Sequence, residues 1–385
     1  MNRRRLLRSA LGTLSVARAQ SRKRYRAALI GHTGVGNYGH EWDTTFNELD
    51  FVEVAAVADV NEAGRRKAVE RSHAKRAYSD YREMLQKEKP DLVAICPRTL
   101  NLRLEMITAA AQAGAHILVE KPLAKNLTEA DAMVSVAAER RIKIAVGLVM
   151  RTTPVIRRAR DMVDGGEIGV LQEIRARGKE DRRAGGEDMV VLGSHLFDLM
   201  RLFAGDPRWV FAHVSEDGRE IDRAHPRVPT EPVGPVAGNQ IAAMFSFDHG
   251  VHGYFGSKTS DVLSGKRFGL YLYGSKGIIF IPITEYPGAE PLLLRSDTWR
   301  PDDRGGEWRQ IEQPAGERVD TRQQANVRMA MDLIDAIEKD RQPACSVSDG
   351  RWAVEMAQGV YLSQMSGGRV EFPLKDRRFP LSAKL

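Results

Sequence analysis

A doubly wound parallel α/β sheet, followed by an α+β domain with an open, mostly antiparallel sheet, is the fold class predicted for this 385-residue chain. Three observations carry that prediction. Between residues 24 and 148 short apolar runs alternate with helical stretches, and a glycine-rich loop follows the first run. After Met150 the strands crowd together with hairpin signals between them. With 42% hydrophobic and 28% charged residues, the composition is that of a globular protein large enough for two cores.

The first segment, residues 1–23, reads as an address. Asn2-Arg3-Arg4-Arg5-Leu6-Leu7-Arg8 precedes a short apolar stretch and Ala17-Arg18-Ala19, the order of a twin-arginine export signal cut before Gln20. Periplasmic export is the expectation, with a retained basic arm on a cytoplasmic protein, or a misassigned start, as the alternatives. Eight basic residues, from Arg3 to Arg24, precede the first strand and account for the formal charge of +7. Without them the chain is close to neutral, which excludes a basic nucleic-acid-binding body. Every later apolar run falls short of the roughly 20 residues of a membrane span, so no membrane anchoring is expected.

In the first domain, residues 24–148, "RAALIG", "FVEVAAVAD", "DLVAIC", "HILVE" and "KIAVG" read as strands buried on both faces. Between them "NEAGRRKAVERS", "SDYREMLQ", "NLRLEMITAAAQAG" and "NLTEADAMVSVAAERR" have helical periodicity, several with Asn or Ser placed as N-caps. Strands alternating with helices give right-handed β-α-β units in a Rossmann sheet.

Residues 149–385 change rhythm. A helix from Val155 to Val163 leads to a strand at "LQEIRAR", and "VVLGSHLFDLMRLFAG" is helical. "WVFAHV", "NQIAAMFSFDHGVHGYFGSK" and "RFGLYLYGSKGIIFIPI" then alternate in and out, with Asp-His-Gly and Gly-Ser-Lys-Gly as turns. Helices from Gln323 to Lys339 and from Asp349 to Met365 close the chain, while "REIDRAHPRVPTEPVGPVAG" reads as a loose polar excursion. Two cysteines, Cys96 and Cys345, and nine scattered histidines offer no metal framework.

"ALIGHTGVGNYGHEWDTTF" follows the first strand, and Gly34-Val35-Gly36-Asn37-Tyr38-Gly39 satisfies G-x-G-x-x-G, with Gly31 and Thr33 just before it. Missing Cβ atoms permit a tight turn and close approach to a pyrophosphate, and a helix is expected to follow. The second strand ends at Asp59, placed to bond the adenosine ribose hydroxyls. Its charge opposes a 2′-phosphate, so the expected cofactor is NAD, with NADP kept open by Arg65 and Arg66.

Glu120-Lys121-Pro122, in "AGAHILVEKPLAKNLTEADAMV", resembles the signature of the glucose-fructose oxidoreductase / inositol dehydrogenase / MocA (Gfo/Idh/MocA) family of sugar and polyol oxidoreductases. The resemblance extends over nearly the whole chain, through the glycine loop, Asp59, Cys96-Pro97, Arg151 and His195. It implies a cis peptide before Pro122 and cofactor contacts at Cys96, Pro97, Arg98, Glu120, Lys121 and Arg151. It also implies Lys121 and His195 as the catalytic pair and a homodimer or homotetramer built through the open sheet.

The chemistry asks for such groups in any case. Hydride transfer from a carbinol needs a base for the hydroxyl proton and a cation for the developing alkoxide. Family members carry Asp-x-x-x-His at the helix of His195, but Val191 stands at that aspartate position here. Asp188, nearly two turns before His195, is the displaced candidate, with an N-cap role as its alternative. Asp181 and Arg182, in the polar "KEDRRAGGED", are candidate substrate contacts together with Lys121, Arg151 and His195.

The implied function is an NAD-dependent oxidation of a sugar, polyol or glycoside. Export would require a tightly held cofactor recycled on the enzyme. Glycoside cleavage through transient C3 oxidation and a noncatalytic sugar- or nucleotide-binding protein are the alternatives.

Overall fold

In the computed structural model residues 23–259, 267–283, 290–301, 306–312 and 321–381 are described. Apart from Lys23, the expected leader lies outside them.

Six strands, β1 (Tyr25–Ile30), β2 (Val52–Ala58), β3 (Arg76–Tyr78), β4 (Leu92–Ile95), β5 (His116–Val119) and β6 (Ile144–Val146), pair in parallel in the order β3-β2-β1-β4-β5-β6. The central strands are apolar and buried on both faces because α1 (Glu62–Ser72), α2 (Tyr81–Glu88), α3 (Arg103–Gln112) and α4 (Leu127–Glu139) complete the crossovers. Asn61, Asp80 and Asn126 cap the N-termini of α1, α2 and α4, each accepting a backbone amide of the first turn.

The helix expected after the glycine loop does not form. Gly39 (φ 60°) and Glu41 (φ 65°) adopt left-handed conformations, and from Gly39 to Leu49 the chain descends through turns closed by i to i+3 bonds, including one 3-10 turn at Trp42–Thr44. Trp42 and Phe46 are buried there and fill the space against the sheet.

The second sheet is assembled from β7 (Leu171–Arg177), β8 (Trp209–Glu216), β9 (Arg219–Glu220), β10 (Gln240–Ser246), β11 (His252–Lys258), β12 (Gly269–Gly274), β13 (Gly277–Pro282), β14 (Leu292–Leu294), β15 (Trp308–Gln310) and β16 (Val370–Glu371). Its order is β15-β14-β13-β12-β7-β11-β10-β8-β16, with β9 hairpinned to β8, and β7 and β11 are its parallel pair. In β10 and β11 buried residues alternate with more exposed ones, as expected of a sheet covered on one face. The covering helices are α5 (Pro154–Asp164), α6 (Gly186–Val191), α7 (Gly193–Ala204) and α9 (Val347–Ser366). On the other face Phe211, Tyr254, Tyr271, Tyr273 and Phe280 line an open depression of about 910 Å³.

The last helices bridge the expected division at residue 148. Met329, Ala330, Leu333 and Ile334 of α8 (Arg322–Glu338), with Cys345 and Val354, enter the core of the first sheet. Helix α9 then packs against α4 on one side and against α7 and β8 on the other. Residues 149–385 therefore include part of the first domain's core, and α9 holds the two sheets together.

Candidate active site

Lys121 leaves the carboxyl edge of the parallel sheet just after β5, where open α/β sheets gather their ligand contacts. Its peptide bond to Pro122 is cis. Only 5% of the residue is exposed, and its Nζ donates to the carbonyl of Val191 over 2.9 Å. Burial lowers its proton affinity; Glu120 and Glu231 oppose that shift, while Arg183 and Arg98 add to it.

His195 comes from the other domain, in the first turn of α7, with its amide bonded to Leu192 O. The imidazole is buried and its Nδ1 has no partner among the described residues. Burial, then the charges of Lys121 and His40, push its pKa well below the usual histidine value. His195 is consequently a neutral imidazole at neutral pH, a base beside a cation. Val191 and Ser194 bracket the approach, since Lys121 bonds the first and shares a cavity wall with the second.

Two buried groups hold Lys121 in place. Glu120 accepts the Lys121 amide over 2.6 Å and pairs with the His40 imidazole. Burial opposes its charge, but His40, Lys121 and Arg103 outweigh it and hold the carboxyl at about 2. Arg103, on α3, donates to the carbonyls of Glu120, Pro122, Pro97 and Thr99, tying together the two loops that follow β4 and β5. Burial brings its own pKa down to about 10.

The glycine loop closes on itself through a bridge between His32 and Asn37. Gly34 N donates to Asn37 Oδ1 over 3.0 Å, and Gly34 (φ 88°) and Gly36 (φ 83°) lie in the left-handed region. A Cβ on Gly36 would sit 2.6 Å from the amides of Arg98 and Thr99, so only glycine allows the loop this close to the end of β4. The amides of Gly36 and Tyr38 donate to no group among the described residues. Two free amides at the edge of β1 and β4 suit an anionic pyrophosphate, so the loop fits a dinucleotide there. Val35 is exposed on the loop, and the Tyr38 ring lies over Gly31, where a Cβ would meet it at 2.1 Å.

Residues 26–148 match the oxidoreductase family with an NAD-binding Rossmann fold named GFO_IDH_MocA, and residues 156–280 match the Gfo/Idh/MocA C-terminal domain. The chain belongs to the Gfo/Idh/MocA family. Myo-inositol 2-dehydrogenase of Thermotoga maritima is 26% identical over 184 residues, 46% of this chain and 55% of that protein. D-apiose dehydrogenase of Paraburkholderia graminis is 29% identical over 195 residues, covering 48% and 51% of the two chains. The chain thus spans about half the length of the curated relatives it matches. Among solved structures, levoglucosan dehydrogenase in complex with NADH superposes with a TM-score of 0.73 at 19% identity, over 91% of this chain and all of that one. An NAD-binding oxidoreductase from Klebsiella pneumoniae gives 0.72 at 20% identity, over 92% and 100%.

Against the Gfo/Idh/MocA pattern, several expected site residues do other work. Asp188, the displaced catalytic candidate, is fully buried and accepts from the amides of Lys179 and Glu180, at 3.2 and 3.0 Å, and from Ser257 Oγ at 2.6 Å. Burial raises its pKa against those bonds, and the carboxylate anchors the loop after β7 to β11. Arg151 likewise serves structure: its guanidinium grips Asp198 and lies 3.6 Å from Asp349, joining α7 to α9.

Asp59 is at the end of β2 as expected, yet its oxygens are taken by Thr33 N and Oγ1, the latter at 2.7 Å, and by Asn61 N at 2.9 Å. It secures the glycine loop at the strand end, and Arg65 reaches back to its carbonyl over 2.6 Å. The Cys96 amide bonds Ile30 O and the Pro97 carbonyl accepts from Arg103, while the Cys96 thiol is buried and burial raises its pKa.

Asp181, Arg182 and Arg98 do meet, lining a cavity of about 490 Å³ with Arg183, Thr230 and Glu231. Its roof is the stretch read as a polar excursion. The fully buried Glu187 accepts from the amides of Thr230 and Glu231, each over 3.0 Å, and from the Thr230 hydroxyl. Leu100 N donates to Pro232 O, and Val233 packs with Leu100 and Val191. The strap thereby reaches from the second domain onto the first, beside Lys121. Sequence reasoning missed it; the available signal was a second acid, Glu187, beside Asp188 at the head of the apolar run Met189-Val190-Val191.

Proposed function

We propose that this protein is an NAD-dependent oxidoreductase that oxidises a secondary alcohol of a sugar, polyol or glycoside. The observation that carries the reading is the convergence of Lys121 and His195, from two domains, into one buried place at the carboxyl edge of the parallel sheet.

A nicotinamide cofactor, when bound, supplies the hydride acceptor. Lys121 holds the substrate hydroxyl through its ammonium and stabilises the charge that grows on oxygen. Neutral His195 takes the hydroxyl proton while the C–H bond gives up its hydride, leaving a carbonyl. The Gly36 and Tyr38 amides bear on the pyrophosphate side.

The negative charge of Asp59 at the end of β2, although bonded to the loop, opposes a 2′-phosphate and supports NAD over NADP, whereas Arg65 in the first turn of α1 favours NADP. Titration of the purified protein with each dinucleotide, followed by nicotinamide fluorescence, separates the two. The leader at residues 1–23 supports export in a folded state with the cofactor held tightly and recycled on the enzyme. The open aromatic face of the second sheet supports a homodimer or homotetramer, measured by light scattering.

The test of the activity is absorbance at 340 nm on adding a panel of sugars, polyols and glycosides to the protein with cofactor. Reduction of the cofactor by at least one compound, slowed at least about a hundredfold in Lys121→Ala and His195→Ala, is the expected result. Unaltered rates in both variants would remove the catalytic assignment, and dinucleotide binding with no turnover across the panel would favour a noncatalytic protein.

A further inference from the structure

The charged cavity beside Lys121 says which end of a substrate is recognised there. Its lining brings three guanidinium groups, Arg98, Arg182 and Arg183, against two carboxylates, Asp181 and Glu231. The carboxylates are engaged. Asp181 holds Arg183 through its amide at 2.9 Å, its Nε at 3.0 Å and its Nη2 at 2.5 Å. Glu231 pairs with the other arm of Arg183 and stands 3.8 Å from Arg98.

Each nitrogen of the Arg183 guanidinium is therefore bonded to an acid, and its positive charge is shared by two of them. Arg182 is exposed and has no ion-pair partner among the described residues, and Arg98 has only the one long contact. These two come from opposite sides of the cleft, Arg98 from the loop after β4 and Arg182 from the loop after β7.

Position ties the cavity to the chemistry. Arg98 lies two residues before Leu100, and Leu100 packs with Val191, whose carbonyl receives Lys121. Glu231 adjoins Pro232, to which the Leu100 amide is bonded. The Leu100, Val191 and Val233 side chains form a small apolar wall there, and the arginines stand around it. At about 490 Å³ the cavity falls within the roughly 300–1,000 Å³ usual for small-ligand sites.

A neutral sugar could accept hydrogen bonds here but would bring no counter-charge to Arg182, and would leave Arg98 only its long contact with Glu231. A planar carboxylate or a phosphate would take hydrogen bonds from the guanidinium forks, the geometry for which arginine is suited.

We propose that the substrate carries an oxyanion, a carboxylate or a phosphate, which Arg98 and Arg182 bind from the two sides of the cleft while its hydroxyl is presented to Lys121 and His195. This rests on the oxidoreductase reading above and adds the substrate class to it.

A matched series tests it. D-glucose, D-gluconate, D-glucuronate and D-glucose 6-phosphate, with the corresponding inositol and inositol monophosphate, are compared with the protein and cofactor at 340 nm and by calorimetry. The expected result is an anionic member with kcat/KM at least about tenfold above its neutral counterpart, chiefly through KM. Sugar acids and sugar phosphates are separated by which arm responds. In Arg182→Ala and Arg98→Ala the ratio of anionic to neutral kcat/KM falls toward one.

A neutral compound that performs as well as all its anionic relatives overturns the proposal, as does a ratio unchanged in both variants. Oxidation of neutral sugars alone removes the anion site and leaves the dehydrogenase reading. Saturable binding of an anion that is lost in Arg182→Ala, without hydride transfer from any compound, keeps the anion site and removes the dehydrogenase. Absence of both turnover and binding across the series removes the anion site as well.

Discussion

The ammonium of Lys121 meets the main-chain carbonyl of Val191 over 2.9 Å, so a helix end faces this cation where an aspartate is the family expectation. Val191 is the last residue of α6, and its carbonyl is one of those a helix leaves without an intrahelical partner. That end also carries the negative pole of the peptide dipoles, which suits a cation. The Lys121 ammonium is thus oriented by a carbonyl and not by a carboxylate bonded to it, while the nearby Glu120 and Glu231 still favour its charge.

Val191→Asp tests this. The new carboxylate would enter the apolar wall of Leu100 and Val233, and the protein should lose about 1–3 kcal/mol of stability in denaturant titration. Lys121 would then keep its proton to higher pH, so the alkaline limb of the kcat/KM profile should move upward. An unchanged limb would mean that the carbonyl, not the missing acid, governs Lys121.

The depressed pKa of His195 sets the acid limb. Protonation removes the base, so activity should persist below the usual histidine range and fall only as pH drops through the lowered value. Lys121→Met removes one of the charges that depress it, and the residual activity should show its acid limb at higher pH. His195→Asn should cost about 10²–10⁴-fold in kcat with dinucleotide affinity retained, measured by fluorescence titration.

Asp188→Ala should act on stability. Losing the acceptor of two amides and the Ser257 hydroxyl leaves buried donors unpaired, which costs about 1–3 kcal/mol each at most. Thermal unfolding should shift downward, while kcat per folded molecule stays within about tenfold. A loss comparable to that of His195→Asn would restore a catalytic role to Asp188.

Glu187→Ala should release the strap. Thr230 and Glu231 lose their acceptor, and trypsin should cut more readily at Arg223 and Arg227. Substrate KM should rise, since the roof of the cavity is no longer held. Proteolysis at the same rate as the parent protein would show that the strap is secured by Val233 and Pro232 alone.

Much of the fold was legible because buried parallel strands are short, β-branched and apolar on both faces, while the second sheet alternates. "DLVAIC" and "HILVE" became β4 and β5, and "LQEIRAR" became β7 within the same residues. The helix after the glycine loop was not legible, since left-handed Glu41 and the burial of Trp42 and Phe46 against the sheet decide that segment. Asp188 was misplaced for a similar reason: spacing along a helix says which residues share a face, not which neighbour that face meets. Arg103 carried no motif at all, because its value lies in four carbonyls from two loops.

The amino-acid sequence by itself determined the two sheets, the glycine loop, and Lys121 at the end of a strand, because local periodicity and turn chemistry act over a few residues. Tertiary structure alone decided that Lys121 faces a carbonyl and His195 stays neutral. It also decided that Asp59 and Asp188 are spent on their own loops, and that Glu187 draws a strap over the cleft. Each of those outcomes depends on desolvation and on hydrogen-bond partners distant in sequence, which burial creates only once the chain has closed.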